Sequence, residues 1–145
     1  MATLKQISVA VEQFLADGAR GWSETLTVSR RWAPEFERKS TFRPTDPARL
    51  TVIPGGLSTE RSDSDDWADT PTVGVMLQAR FEDDADGDRL SDLVEEVMAA
   101  LVGIDLSAVA CELERVDVAE WADREDLRKR VWTTGILLVM AHPMA

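Results

Sequence analysis

The sequence predicts an α+β domain, a mainly antiparallel sheet of four to five strands with two helices packed on one face. Three observations lead there. Residues 88–103 carry a single apolar stripe at helical spacing. Residues 72–81, just before them, alternate as a strand does. The remaining strand-like runs are joined by polar connections rather than by crossover helices. A length of 145 residues fits one domain spanning 1–145, with one core. No internal repeat and no second domain is visible.

The helix at 88–103 is the clearest element. Leu90, Leu93, Val94, Val97, Met98, Leu101 and Val102 recur at i, i+3, i+4, i+7, i+8, i+11 and i+12, one face of a 3.6-residue period. Asp88 is placed to cap its start, and Gly103 to end it in a left-handed conformation. A first helix is expected over 3–17, with Leu4, Ile7, Val11, Phe14 and Leu15 on one side, Thr3 as N-cap and Gly18 as stop.

The strands follow from period-two patterns. Residues 24–32 put Leu26, Val28, Arg30 and Trp32 on one face, and Pro34 limits them. The proline-rich 33–49 reads as a connection holding an extended piece at 36–42. Residues 50–53 form a second strand, stopped by Pro54-Gly55-Gly56. Residues 72–81 are the third, with Val73, Val75, Leu77, Ala79 and Phe81 pointing one way. After the acidic loop 82–87 and the second helix, a fourth strand is expected at 111–119 and a fifth at 131–141. The second half of the fifth is apolar on both faces, which places it centrally or under cover on both sides. The sheet face away from the helices must meet solvent, a loop or a partner chain.

Two segments do not contribute a core. Residues 57–71 are acidic and poor in aliphatic side chains, so burial there cannot offset an ordering cost of ~1–2 kcal/mol per residue. They read as a mobile loop anchored by Trp67. Residues 120–130 read as a charged link.

The net charge of −11 argues against a phosphate-binding surface. Acid concentrates at 63–69 and 82–88, and base at Arg30-Arg31, Arg38-Lys39 and Arg128-Lys129-Arg130. Solvated, salt-bridged faces account for such runs; so does the meeting of acidic and basic edges between copies of the chain. Cys111 stands alone, which rules out an intramolecular disulfide and reads as a buried structural thiol. No apolar run approaches the ~18 residues that cross a bilayer. The first residues carry no secretory block, so a soluble, cytoplasmic chain without membrane contact is expected.

No chemistry-bearing constellation emerges. Residues 82–88 resemble a calcium loop, but aligning Gly87 to the sixth position puts Leu93 where the bidentate glutamate belongs. Capping and the helix dipole explain those acids better. Pro54-Gly55-Gly56 lacks the lysine and following helix of a phosphate cradle. His142 is the only histidine, and Glu95 and Glu96 diverge on their helix. No catalytic, cofactor-binding or metal residue is therefore assigned, and the chain is expected not to be an enzyme. Five tryptophans stand without a tyrosine. Trp32 and Trp132 fall in strands and read as core or sheet-face residues. Trp22, Trp67 and Trp121 fall in turns or loops, where they cover the core rim or anchor an interface.

An N-terminal helix, then Trp32-Ala33-Pro34-Glu35-Phe36-Glu37, then Leu50-Thr51-Val52-Ile53-Pro54, a polar loop with Glu60-Arg61, the strand from Thr72, an acidic turn and the amphipathic helix from Leu90 follow one another. In this combination the chain, over residues 4–103, resembles small phage tail-completion proteins of the tail-terminator or head-tail joining type. The resemblance implies a non-enzymatic structural protein without cofactors. Copies would form a ring, commonly a hexamer, that caps the tail tube and meets the head connector. Its acidic balance suits a lumen through which DNA passes without sticking. Ring contacts are then expected from 57–71, from 120–130 and from a sheet edge. Arg128, Lys129 and Arg130 would meet Asp63, Asp65 or Asp66 of a neighbour, and Trp67 and Trp121 would serve as anchors. The other reading is a small acidic α+β binding or regulatory module, including a DNA mimic that occupies a basic partner.

Overall fold

A computed structural model describes residues 3–32, 46–55 and 72–141. Its elements, in chain order, are helix α1 (Leu4–Ala16), strands β1 (Leu26–Arg30), β2 (Ala48–Pro54) and β3 (Thr72–Arg80), helix α2 (Asp84–Val102), strand β4 (Leu113–Glu120), the short helix α3 (Arg124–Arg128) and strand β5 (Val131–Met140). Short 3₁₀ turns follow α1 at Gly18–Arg20 and precede β4 at Ser107–Val109. The five strands form one sheet in the order β1-β2-β3-β5-β4. This is the α+β architecture that the sequence predicts.

Three of the four strand pairs are antiparallel, and β1 with β2 is parallel. The parallel pair departs from the expectation drawn from loop connections. A parallel neighbour needs a dozen or more residues to return the chain to the same end of the sheet, and the stretch from Arg31 to Pro47 supplies them.

Side-chain alternation sorts the sheet into two faces. Ala48, Leu50 and Val52 of β2, Val73, Val75, Leu77 and Ala79 of β3, and Trp132, Ile136, Leu138 and Met140 of β5 join one buried cluster with Ile7, Val11 and Leu15 of α1 and Leu90, Leu93, Val94, Val97 and Leu101 of α2. Both long helices therefore cover the same face, α1 over β1 to β3 and α2 over β4 and β5. Full burial of one such side chain stabilises by about 1.5–3 kcal/mol. The opposite face is buried too along the inner strands, at Thr51, Ile53, Met76, Gln78, Thr133 and Val139. It does not meet solvent there, and β5 is an inner strand covered on both sides, as its two apolar faces imply.

Local chemistry explains the element ends. Thr3 and Gln6 form a reciprocal capping box on α1 (Gln6 N–H to Thr3 Oγ1, 3.1 Å; Thr3 N–H to Gln6 Oε1, 2.9 Å). Helix α1 ends at Ala16, two residues before Gly18, and the left-handed glycine of that turn is Gly21 (φ 60°). Helix α2 starts four residues earlier than Asp88, because Asp83 caps it by accepting the Asp86 N–H at 3.0 Å. Residues 84–87 then form its first turn, with Asp84 and Asp86 in the favourable field of the helix N-terminus. Gly87 suits this turn, since a Cβ there would lie 3.3 Å from the Phe81 ring. Gly103 caps the other end with φ −93° and ψ 9°, not in the left-handed conformation expected of it. Val102, assigned to the apolar stripe, is 65 % exposed, one residue beyond the last that reaches the sheet.

Several strand limits also shift. Strand β1 is shorter than residues 24–32, and Trp32, expected on a sheet face, is 59 % exposed. The last contact of that strand with β2 is the Arg31 N–H on the Val52 carbonyl, and Trp32 lies past it. Strand β2 extends beyond residues 50–53 at both ends, and β4 starts at Leu113, so that Cys111 precedes it and is only half-buried. The link 120–130 holds an ordered helix, α3, capped by Asp123, whose Oδ1 accepts from the Glu125 and Asp126 N–H groups. The expected loop at 57–71 and extended piece at 36–42 lie outside the described residues.

Candidate interaction surface

Among the described residues, strand β4 is an edge strand that pairs with β5 alone. Its register is regular from Arg115 to Val118 and shifts on either side, between Leu113 and Arg115 and between Val118 and Glu120. Val116 and Val118 oppose Leu138 and Ile136, on the helix-covered face. Arg115 and Asp117 oppose Val139 and Leu137, on the other. Arg115 Nε donates to Asp117 Oδ2 at 2.8 Å, and that hydrogen bond raises the Arg115 pKa further. Both side chains are about half exposed, and Val118 is 36 % exposed.

Beyond β4 the chain turns at Trp121, which is 42 % exposed. Its backbone is held by a hydrogen bond to β5. The Trp121 carbonyl accepts from Thr134 Oγ1, and that oxygen accepts from Trp132 Nε1 at 2.7 Å. The Asp123 N–H donates to the Thr133 carbonyl, and Thr133 Oγ1 to Asp126 Oδ2. These bonds fasten residues 121–126 to β5 and leave the indole of Trp121 facing outward.

The basic triplet divides. Arg128 is exposed and lies 3.7 Å from Glu125 in a surface ion pair. Lys129 is exposed as well. Arg130 folds back in a left-handed conformation (φ 66°), and its Nη1 donates to the Glu82 carbonyl at 2.9 Å. It is a strut between the α3 turn and the entry to α2. Asp63, Asp65, Asp66 and Trp67 lie outside the described residues. Trp121, Arg128 and Lys129 are thus all exposed, and Arg130, exposed as well, has a partner within the chain. Trp22 is half-buried, with Nε1 on the Leu15 carbonyl at 3.2 Å, a rim-covering role.

Sequence reasoning missed Arg115, Asp117 and Val118. Their signal was present as the weak alternation of residues 113–120, in which charges interrupt both faces. An edge strand reads that way.

A cleft of about 600 Å³ opens beside the N-terminal end of α2, between the starts of β1 and β2 and the end of β3. Charged groups line it, and they are paired. Arg89 binds Glu24 and also Asp86 (Nη2 to Oδ1, 3.2 Å), and Arg80 binds Glu82. The Glu82 N–H on Asp86 Oδ2 (2.9 Å), with Arg89 beside it, holds the Asp86 carboxyl below its usual range despite partial burial. Burial lowers the Arg89 pKa, but its bonds to Glu24 and Asp86 outweigh that and leave it raised. Pairing of this kind braces the helix entry. Burial likewise pushes the Cys111 thiol up, away from the reactive thiolate. Among the described residues no group of three or more His, Cys, Asp or Glu is arranged to hold a metal ion, and no helix is long and apolar enough to cross a membrane. His142 lies outside them.

No protein-family model matches the chain, and no curated protein matches it.

Proposed function

We propose that this chain is a structural protein of phage assembly, a ring-forming tail-completion protein of the terminator type that caps the tail tube and meets the head connector. The observation that carries the reading is the agreement between element order and the sequence resemblance. The segments that carry the resemblance and lie in described residues fold as α1, β2, β3 and α2, the helix-sheet layer of one core. The outward features support an assembly role. Edge strand β4 is followed by a segment with an exposed indole and the exposed side chains of Arg128, Lys129 and Arg130, whose first part is fastened to β5.

In this reading the protein acts as a virion component, assembled in the host cytoplasm, and not as an enzyme. Copies meet head to tail, with the 121–130 corner of one against an acidic surface of the next. The net charge of −11 repels DNA passing through the ring, so the lumen conducts without binding.

Electron microscopy of the purified chain, alone and with phage tail tubes, tests the reading. Rings, or caps on tube ends, are expected. A chain that stays monomeric or dimeric, ignores tubes and captures a basic DNA-binding protein would instead be the acidic regulatory module. Tight DNA binding at physiological salt would overturn the conducting lumen.

A further inference from the structure

The regular run of β4 is only Arg115 to Val118, and within it one face carries Arg115 and Asp117 and the other Val116 and Val118. Charges on an edge strand ordinarily repel the approach of another strand. Here their spacing is complementary to itself. We propose that β4 pairs antiparallel with β4 of a second copy about a two-fold axis through Val116.

The argument is one of register. With the axis at Val116, Arg115 of each chain lies opposite Asp117 of the other, and Val116 lies opposite its own copy. The two Arg115–Asp117 ion pairs, each formed within one strand, become an alternating ring of four charges on the outer face. Opposite charges directly across an antiparallel pair are favourable, and like charges are unfavourable. Moving the axis by one residue keeps the faces but sets Arg115 against Arg115, or Asp117 against Asp117. Parallel pairing in the same register sets each charge against its own kind. On the other face Val116 meets Val116, and the exposed Val118 lies opposite Glu114 of the second chain. The register shifts at either end of the run stop the ladder, so the contact is short. It belongs at the small end of interfaces, under ~1,200 Å², with concentration-dependent association.

A two-fold contact closes on itself, whereas a ring is built head to tail. The inference therefore goes beyond the tail-completion reading, and its failure leaves that reading untouched.

Cysteine cross-linking of the full chain in a Cys111→Ser background tests the register. Directly opposed Cα atoms are ~4.5–5.5 Å apart, within disulfide reach. Val116→Cys should cross-link to a dimer on mild oxidation. Val118→Cys should not, because its symmetry mate is four strand residues away, ~13 Å. Adding Asp117→Arg to Val116→Cys should reduce cross-linking to the Val118→Cys level, and so should adding Arg115→Asp. Mixing those two proteins should restore it, since the introduced charges then oppose each other across the pair. Equal cross-linking at 116 and 118, none at 116, no loss with Asp117→Arg, or no recovery on mixing would each overturn the proposal.

Discussion

Strands β5 and β4 are neighbours in one sheet and share a register, yet they are opposite kinds of strand. From Trp132 to Met140, β5 is buried on both faces apart from a partly covered Leu137, and it joins the one cluster that binds both long helices. Strand β4 is exposed along most of its length, carries Glu114, Arg115, Asp117 and Glu120, and touches the core with Leu113 and Val116 alone. The difference teaches where stability ends and contact begins. One strand pairing separates residues whose replacement removes the fold from residues whose replacement changes only what the fold can meet.

The contrast can be broken most forcefully by placing the same charge on each side of it. Leu93→Asp sets a carboxylate in the cluster beneath β5, at a fully buried position. It is expected to cost more than ~4 kcal/mol, a large share of a typical domain stability, and to abolish cooperative unfolding in denaturant. Val118→Asp on β4 should shift the unfolding midpoint by no more than ~0.5 kcal/mol in free energy. A folded Leu93→Asp protein would overturn the architecture.

The bond chain joining the two regions gives the next effect. Thr134→Val keeps the shape but strands the Trp132 N–H and the Trp121 carbonyl. A loss of about 1–3 kcal/mol is expected in chemical denaturation. Faster amide exchange confined to residues 119–126 would show that the corner loosens before the core does.

Acid tests the helix entry. The folded-state pKa of Asp86 is lowered, so its contribution is fully present above the ordinary carboxylate pKa and is lost as pH falls through the folded value. Thermal melts from pH 6 downward should therefore show a steeper acid loss for the parent than for Asp86→Asn. An identical slope in both would remove Asp86 from the account.

The smallest expected effect lies at the outer corner. Arg128 and Glu125 form an exposed pair, worth at most ~1 kcal/mol. Arg128→Glu with Lys129→Glu should leave the melting curve nearly unchanged while weakening ring assembly at moderate salt. Intact assembly would remove the basic corner from the ring contact.

What could be read in the sequence follows from the same contrast. The stripe from Leu90 to Leu101 and the alternation from Val73 to Ala79 were legible because each buried side chain reports one repeating environment. The early start of α2 was not, because Asp83, Asp84, Asp86 and Gly87 read equally as a loop until the Phe81 ring, closing on Gly87, makes the turn specific. The parallel pairing of β1 and β2 was hidden because pairing direction is a property of the connection rather than of either strand. Trp32 misled because its spacing continued a pattern that the backbone had already left. Arg130 was grouped with Arg128 and Lys129 by adjacency, but a left-handed backbone turns its side chain toward Glu82. The weakness of the β4 pattern was itself the signal of an edge.

The place of β5 has a consequence for synthesis. It is the last described strand in the chain, yet it lies between β3 and β4. While the ribosome is still making residues 131–140, β3 has no partner on that side and β4 has none at all. Strand β5 therefore closes the sheet, pairing with β3 on one side and β4 on the other, and among the described residues the edge strand is joined to the rest of the sheet through it alone.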